Sequence, residues 1–233
     1  MFAGISKILY PPSCLLCGAA TSHGLCADCA AELPGNHCAC TRCALPLFDT
    51  EQGMCGRCLK KAPVYDGAWS PFVYAQPIEW MIARLKFNAR LRLANVLADL
   101  MLQRLPVPAA KPDCIMPVPL HNQRLRQRGF NQSVELAKPL ARALNVPLDV
   151  SSCRRLRATP PQTGMSALQR RRNLRGAFDF QNRRCYRYVV LFDDVMTTGA
   201  TLNELAGLLK RNGVQRVDVW SLARAQRNNK KQD

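Results

Sequence analysis

The 233-residue chain carries 33 Lys plus Arg against 16 Asp plus Glu, a formal net charge of +17, and 48% of its residues are hydrophobic. That balance gives a globular protein able to bury a core and excludes a largely disordered one. Its partners are expected among polyanions: phosphorylated metabolites, nucleic acid or an anionic membrane face.

The first stretch, "MFAGISKILYPPSC", sets Phe2, Ile5, Ile8 and Leu9 on one face of a short docking helix that Pro11 and Pro12 end. No apolar run reaches the roughly eighteen residues a membrane span needs, and no cleavage site of the secretory type follows. A cytoplasmic protein without a transmembrane segment is expected, with the inner face of the membrane as an alternative place for it.

Nine of the 12 cysteines fall between residues 14 and 58, and eight of them form Cys-x-x-Cys pairs: Cys14 with Cys17, Cys26 with Cys29, Cys40 with Cys43, and Cys55 with Cys58. Each pair aims two thiolates at one point about 2.3 Å from a metal, and two pairs complete a tetrahedral site, so two Zn2+ ions are expected. Pairing in chain order and an interleaved pairing are both open. Disulfides would suit a small secreted domain better than this chain. Cys38, His23 and His37 are left over as substitute ligands or as bystanders. Residues 1–65 hold five Lys plus Arg and four acidic residues, and thiolates make the module near neutral or acidic, which favours scaffolding or protein docking over DNA reading. Pro63 is the expected boundary between a zinc module over 1–63 and a second domain over 64–233.

From there strands and helices alternate. "PIEWMIARLKFNARLRLANVLADLMLQRL" predicts two helices broken near Asn88, "CIMPVPL" a buried strand, and "NQSVELAKPLARALNV" a helix containing Pro139. A short strand near 148–152, "GAFDF" and "YRYVVLF" as strands, a helix over 201–211 ending at Gly213, and a last strand "RVDVWSLA" follow. This order predicts an α/β domain with a parallel sheet flanked by helices. Ten arginines and one acid between Arg154 and Arg187 concentrate the positive charge, either as a solvated face or as a polyanion contact.

Ligands of such sheets gather at the carboxyl ends of the strands, which places Asp193 and Asp194 at the site. Val195, Met196, Thr197, Thr198, Gly199, Ala200 and Thr201 follow at a helix start, where free amides and hydroxyls can surround a phosphate. Carboxylates repel phosphate, so the acidic pair is suited to neutral hydroxyls a few ångströms away; a ribose 5-phosphate satisfies both halves.

The segment "VVLFDDVMTTGAT" resembles the phosphoribosyl pyrophosphate (PRPP) motif of type I phosphoribosyltransferases. The resemblance implies that Asp193 and Asp194 hold the ribose hydroxyls, that residues 195–201 hold the 5-phosphate, and that Mg2+ accompanies PRPP. Four Cys-x-x-Cys pairs, "RLKF", "VPLHNQRLRQRGFNQS" and "TPPQTGMSALQRRRNLRGAF", in that order, resemble the competence protein F family (ComFC and GntX type) over essentially the whole chain. That resemblance implies a double zinc-ribbon-like segment before a type I phosphoribosyltransferase-like domain, and a role in DNA uptake during natural transformation. It implies a pyrophosphate loop with Arg124, Arg126, Arg128 and Gly129 as candidates, and a closing loop with Gln162, Arg170 and Arg172. His121 is the one histidine outside the zinc module, and no general acid or base is identifiable. Three functions stay open: a PRPP-binding uptake factor handling incoming single-stranded DNA, an active phosphoribosyltransferase on an unidentified nucleobase or amine, and a zinc-dependent adaptor docking a competence helicase or an inner-membrane DNA channel.

Overall fold

A computed structural model gives the protein's structure and describes residues 12–47, 53–88, 92–106, 110–157 and 176–226. The segments expected to form an N-terminal docking helix, with Phe2, Ile5, Ile8 and Leu9, and a closing loop, with Gln162, Arg170 and Arg172, lie outside the described residues.

The elements in chain order are α1 (Ala27–Ala31), α2 (Gly56–Lys60), β1 (Gly67–Trp69), β2 (Phe72–Val73), α3 (Ile78–Asn88), α4 (Arg92–Leu102), β3 (Cys114–Pro117), α5 (Asn122–Arg128), α6 (Gln132–Ala143), β4 (Cys153–Arg155), β5 (Phe178–Phe180), β6 (Tyr188–Met196), α7 (Ala200–Arg211) and β7 (Arg216–Arg224). Five strands form the main sheet in the order β1-β7-β6-β3, with β2 also on β7, and every pair is parallel. A parallel sheet is covered on both faces, so its central strand reads as a continuous apolar run. β6 shows this: Tyr188 to Phe192 are all buried, and polarity enters only at Asp193 and Asp194.

On one face Val190, Phe192 and Leu222 pack with Ile82 and Leu85 of α3, Leu97 of α4, and Leu136 and Leu140 of α6. On the other, Val189, Leu191 and Val219 pack with Leu202, Leu205 and Leu209 of α7. The cysteine-rich segment joins both cores. Cys14, Leu25 and Leu33 belong to the first, while Cys40, Cys43, Cys55 and Cys58 belong to the second beside Tyr65. Asn36 fastens the segment to the sheet edge, its amide donating to the carbonyls of Ala44 at 2.9 Å and Ser70 at 3.1 Å.

Three details depart from the periodicity reading. The strand expected near 148–152 makes one parallel bridge, Leu148 to Ile115, and the chain then leaves the sheet to pair β4 antiparallel with β5. Asp149 causes the exit. Its Oδ1 accepts the amides of Ser151 at 2.9 Å and Ser152 at 3.0 Å, a turn that competes with strand continuation. The "GAFDF" strand accordingly belongs to this ribbon and not to the main sheet. Within "LHNQRLRQRG", read as loop, α5 forms without apolar periodicity because its ends are capped: His121 Nδ1 accepts from the amide of Gln123 at 3.3 Å, and Gly129 closes the helix at φ 80°. β1 and β2 hold three and two residues, too few to show a period. Among the described residues no helix is long and apolar enough to cross a membrane.

Candidate metal centres and phosphate site

The eight paired cysteines assemble in chain order. Cys14, Cys17, Cys26 and Cys29 form one cluster, Cys40, Cys43, Cys55 and Cys58 the other, and within each all sulfurs lie within 4.8 Å of one another. Cys17 Sγ to Cys26 Sγ and Cys43 Sγ to Cys55 Sγ are each 3.7 Å. Four sulfurs about 2.3 Å from a zinc define a tetrahedron with edges of about 3.8 Å, so the donor set fits Zn2+; a disulfide would need about 2.05 Å. Burial opposes ionisation of Cys14, yet the amides of Cys17, Cys26 and Leu16 bring its thiol down to about 6. Cys55, likewise opposed by burial, is brought to about 7 chiefly by the amide of Cys58. Cys17 and Cys29 in the first cluster and Cys43 and Cys58 in the second are shifted the other way, Cys29 chiefly by its hydrogen bond to Cys26 and Cys43 and Cys58 chiefly by burial, so one thiol of each four is favoured as a thiolate before a metal draws off the remaining protons. His23, His37 and Cys38 are exposed and belong to neither cluster.

At the carboxyl end of β6 the acidic pair is held by two elements the sequence reading did not connect to it. Asp193 Oδ1 accepts the hydroxyl of Ser133 at 3.0 Å and the amide of Asp194 at 2.9 Å. Asp194 is buried; its Oδ1 accepts Gln132 Nε2 at 3.4 Å and its Oδ2 pairs with the ammonium of Lys86. Gln132 Oε1 in turn accepts from Arg128 Nη1. Gln132 and Ser133 are the last letters of "FNQS" and Lys86 is the lysine of "RLKF", so the signal was present in those motifs without a role attached. Burial and the neighbouring charge of Asp194 push Asp193 up to about 7. Burial works against Asp194 as well, but the Lys86 ammonium outweighs it and keeps that carboxyl ionised below the usual range. The pair therefore carries about one negative charge below about 7 and approaches two above it.

The turn after β6 leads into α7. Thr197 is exposed, Thr198 half-buried with its Oγ1 accepting from the amide of Ala200 at 3.3 Å, and Gly199 sits at φ 74° as the N-terminal cap. A Cβ at Gly199 would stand 3.2 Å from Met196 Cε and 3.3 Å from Tyr65 Oη, so both backbone angle and space call for glycine. Arg124 and Arg128 of α5 meet Lys86, Tyr74, Phe87 and Phe130 around a cavity of about 630 Å³. Arg128 stacks 5.8 Å from the centroid of Phe87, which is 77% exposed. Arg126 and Gly129 are exposed on the same short helix and its cap and do not line that cavity. His121 serves as the cap of α5, a structural role.

The fold and these sites define a class: a double zinc ribbon packed on a phosphoribosyltransferase-type α/β domain. Comparison with known families gives the same two parts, a double zinc ribbon domain matching residues 5–59 and a phosphoribosyl transferase domain matching residues 131–233. The chain is 39% identical over 222 residues to DNA utilization protein YhgH of Escherichia coli O157:H7, covering 92% of this chain and 97% of that protein. It is 38% identical to competence protein F of Haemophilus influenzae, covering 87% and 91%, and 29% identical to competence protein ComFC of Streptococcus pneumoniae, covering 66% of each. The chain belongs to this competence protein F family. Among solved structures, hypoxanthine phosphoribosyltransferase of Trypanosoma cruzi bound to IMP aligns with 64% of this chain and 77% of its own at 14% identity and a TM-score of 0.30, too low to carry weight.

Proposed function

We propose that the protein binds PRPP with Mg2+ at the end of β6 and acts in DNA uptake, handling incoming single-stranded DNA on the cytoplasmic side of the membrane. One observation carries the first half: a carboxylate pair at the carboxyl end of the central strand stands directly before a Thr-Thr-Gly turn that opens α7. The pair is suited to accept from ribose hydroxyls and the turn to surround a 5-phosphate. Val195 and Met196 at the end of β6 and Ala200 and Thr201 at the start of α7 flank the turn, and the cationic cavity of Lys86, Arg124 and Arg128 suits the pyrophosphate with its Mg2+. The competence and DNA-utilization names of the relatives support the second half. So does Phe87, an exposed ring beside Arg128, which offers a stacking surface for a base in a chain with only 7% aromatic residues.

The zinc module over 1–63 and the transferase-like domain over 64–233 are read as two functional parts, the former offering its surface to a competence helicase or an inner-membrane channel. The deciding experiment is a calorimetric titration of PRPP with Mg2+ into wild type and Asp193→Ala. Saturable binding lost in the variant is expected; no binding by a zinc-loaded, folded wild type refutes the PRPP reading. For the strand, affinity for a single-stranded oligonucleotide should fall steeply with salt and weaken in a variant with Ala at 170–172. No binding at low salt refutes it.

A further inference from the structure

The phosphate turn is held from behind at three successive peptide groups. Arg224, at the end of β7 and 2% exposed, donates Nε to the carbonyl of Cys43 at 2.9 Å. Its Nη1 donates to the carbonyls of Met196 at 2.8 Å, Ala225 at 2.9 Å and Thr197. Arg57, in α2 between the ligands Cys55 and Cys58, donates Nη2 to the carbonyl of Thr198 at 3.1 Å. One residue of the second ribbon and one buried guanidinium fastened to that ribbon thus take the carbonyls of residues 196, 197 and 198. In a trans peptide the carbonyl and the following amide point opposite ways. The amides of Thr197, Thr198 and Gly199 are therefore turned away from the ribbon, toward the side where an anion is received.

The charge that Arg224 carries in the interior also has its compensation in the ribbon. The four carbonyls to which this buried guanidinium donates are neutral, the Cys43 side chain is its one ionisable hydrogen-bond partner, and burying a cation without a counter-charge is costly. A Zn2+ held by four thiolates carries a net charge of about −2 and supplies it beside Cys43. Among the described residues the first cluster makes no such contact, and its residues pack against the opposite face of the sheet.

We propose that Arg224 is a positioning residue that couples the zinc site of Cys40, Cys43, Cys55 and Cys58 to the phosphate turn. Zinc at that site, and not at the site of Cys14, Cys17, Cys26 and Cys29, sets the anion-binding geometry of residues 197–201. The proposal rests on reading that turn as a phosphate cradle.

The test uses the full chain and three readouts: zinc content, hydrogen–deuterium exchange of the backbone at 196–200, and calorimetric affinity for PRPP with Mg2+. Arg224→Lys keeps the charge and loses the fork. It should retain both zincs, raise exchange about tenfold at 196–200 without raising it in β3 or α6, and weaken PRPP about tenfold, the scale of a lost outer-shell partner. Cys17→Ser, which removes the first metal only, should leave exchange at 196–200 unchanged, whereas a chelator that also strips the second should raise it. Unchanged exchange in Arg224→Lys, or the same rise in Cys17→Ser, overturns the coupling. If Arg224→Lys does not fold, Arg57→Gln carries the test from the exposed side of the turn, with a rise of about threefold expected and no rise overturning it. A wild type that binds no PRPP refutes the cradle reading, and the exchange results then decide the coupling alone.

Discussion

Two carboxylates adjacent in sequence are driven to opposite states by their surroundings. Asp194 has an ammonium against it and stays ionised, while Asp193, half-buried at the strand end beside that charge, is raised to about 7. A carboxyl raised in the folded state adds stability that is full below its unfolded value near 3.9 and lost as pH climbs through about 7. Asp193→Asn removes that loss. Melting temperatures of the two proteins should agree near pH 4, then diverge in favour of the variant and level off above pH 7, with a gap of roughly 2–4 °C for each kcal/mol relieved. A pH-independent gap would mean that the raised carboxyl is not the cause. Lys86→Met tests the partner: it leaves Asp194 buried without its cation and should cost about 3 kcal/mol in urea unfolding at pH 7, less at pH 4, where the carboxyl can take up a proton.

At the scale of elements, the segment from Leu148 to Arg155 shows how one side chain redirects a strand. Asp149, 2% exposed, collects the amides and hydroxyls of Ser151 and Ser152 and, at 3.0 Å, the hydroxyl of Tyr186. Although burial opposes its charge, the Ser152 hydroxyl and these other donors hold it down to about 2. Its contribution is present above the unfolded value near 3.9 and is lost only as pH falls through about 2. Asp149→Ala, which strands those donors, should destabilise the protein by about 2–4 kcal/mol at pH 7 while leaving both zincs bound; a loss under about 0.5 kcal/mol would show the donors finding water instead. The run "DVSSC" reads as strand by its valine. The carboxylate that turns it is visible in the sequence, but its target, Tyr186, is 37 positions away.

For the whole molecule, the cysteine segment is not an appendage. Its two clusters enter the two cores, one on each face of the sheet. Stripping metal should therefore lower the melting temperature of the α/β domain as well as melt the ribbons, since metal binding and folding share one free energy. Calorimetry with and without chelator checks this: one cooperative transition moving to lower temperature is expected, and an unmoved domain transition would show two independent parts.

Residue order alone specifies the donor chemistry, eight thiols in Cys-x-x-Cys pairs, and the parallel α/β class through alternating periods. It also determined the acidic-then-hydroxyl order at the end of the central strand. These are local properties, and local spacing expresses them directly. The chain-order pairing of the cysteines, the hold of Lys86, Gln132 and Ser133 on the acidic pair, and the hydrogen bonds by which Arg224 joins Cys43 to the Thr-Thr-Gly turn appear only once the chain is packed. Those contacts join residues up to 181 positions apart. Their partners are chosen by which helix ends and strand ends the packed sheet brings together, and no periodicity along the chain records that choice.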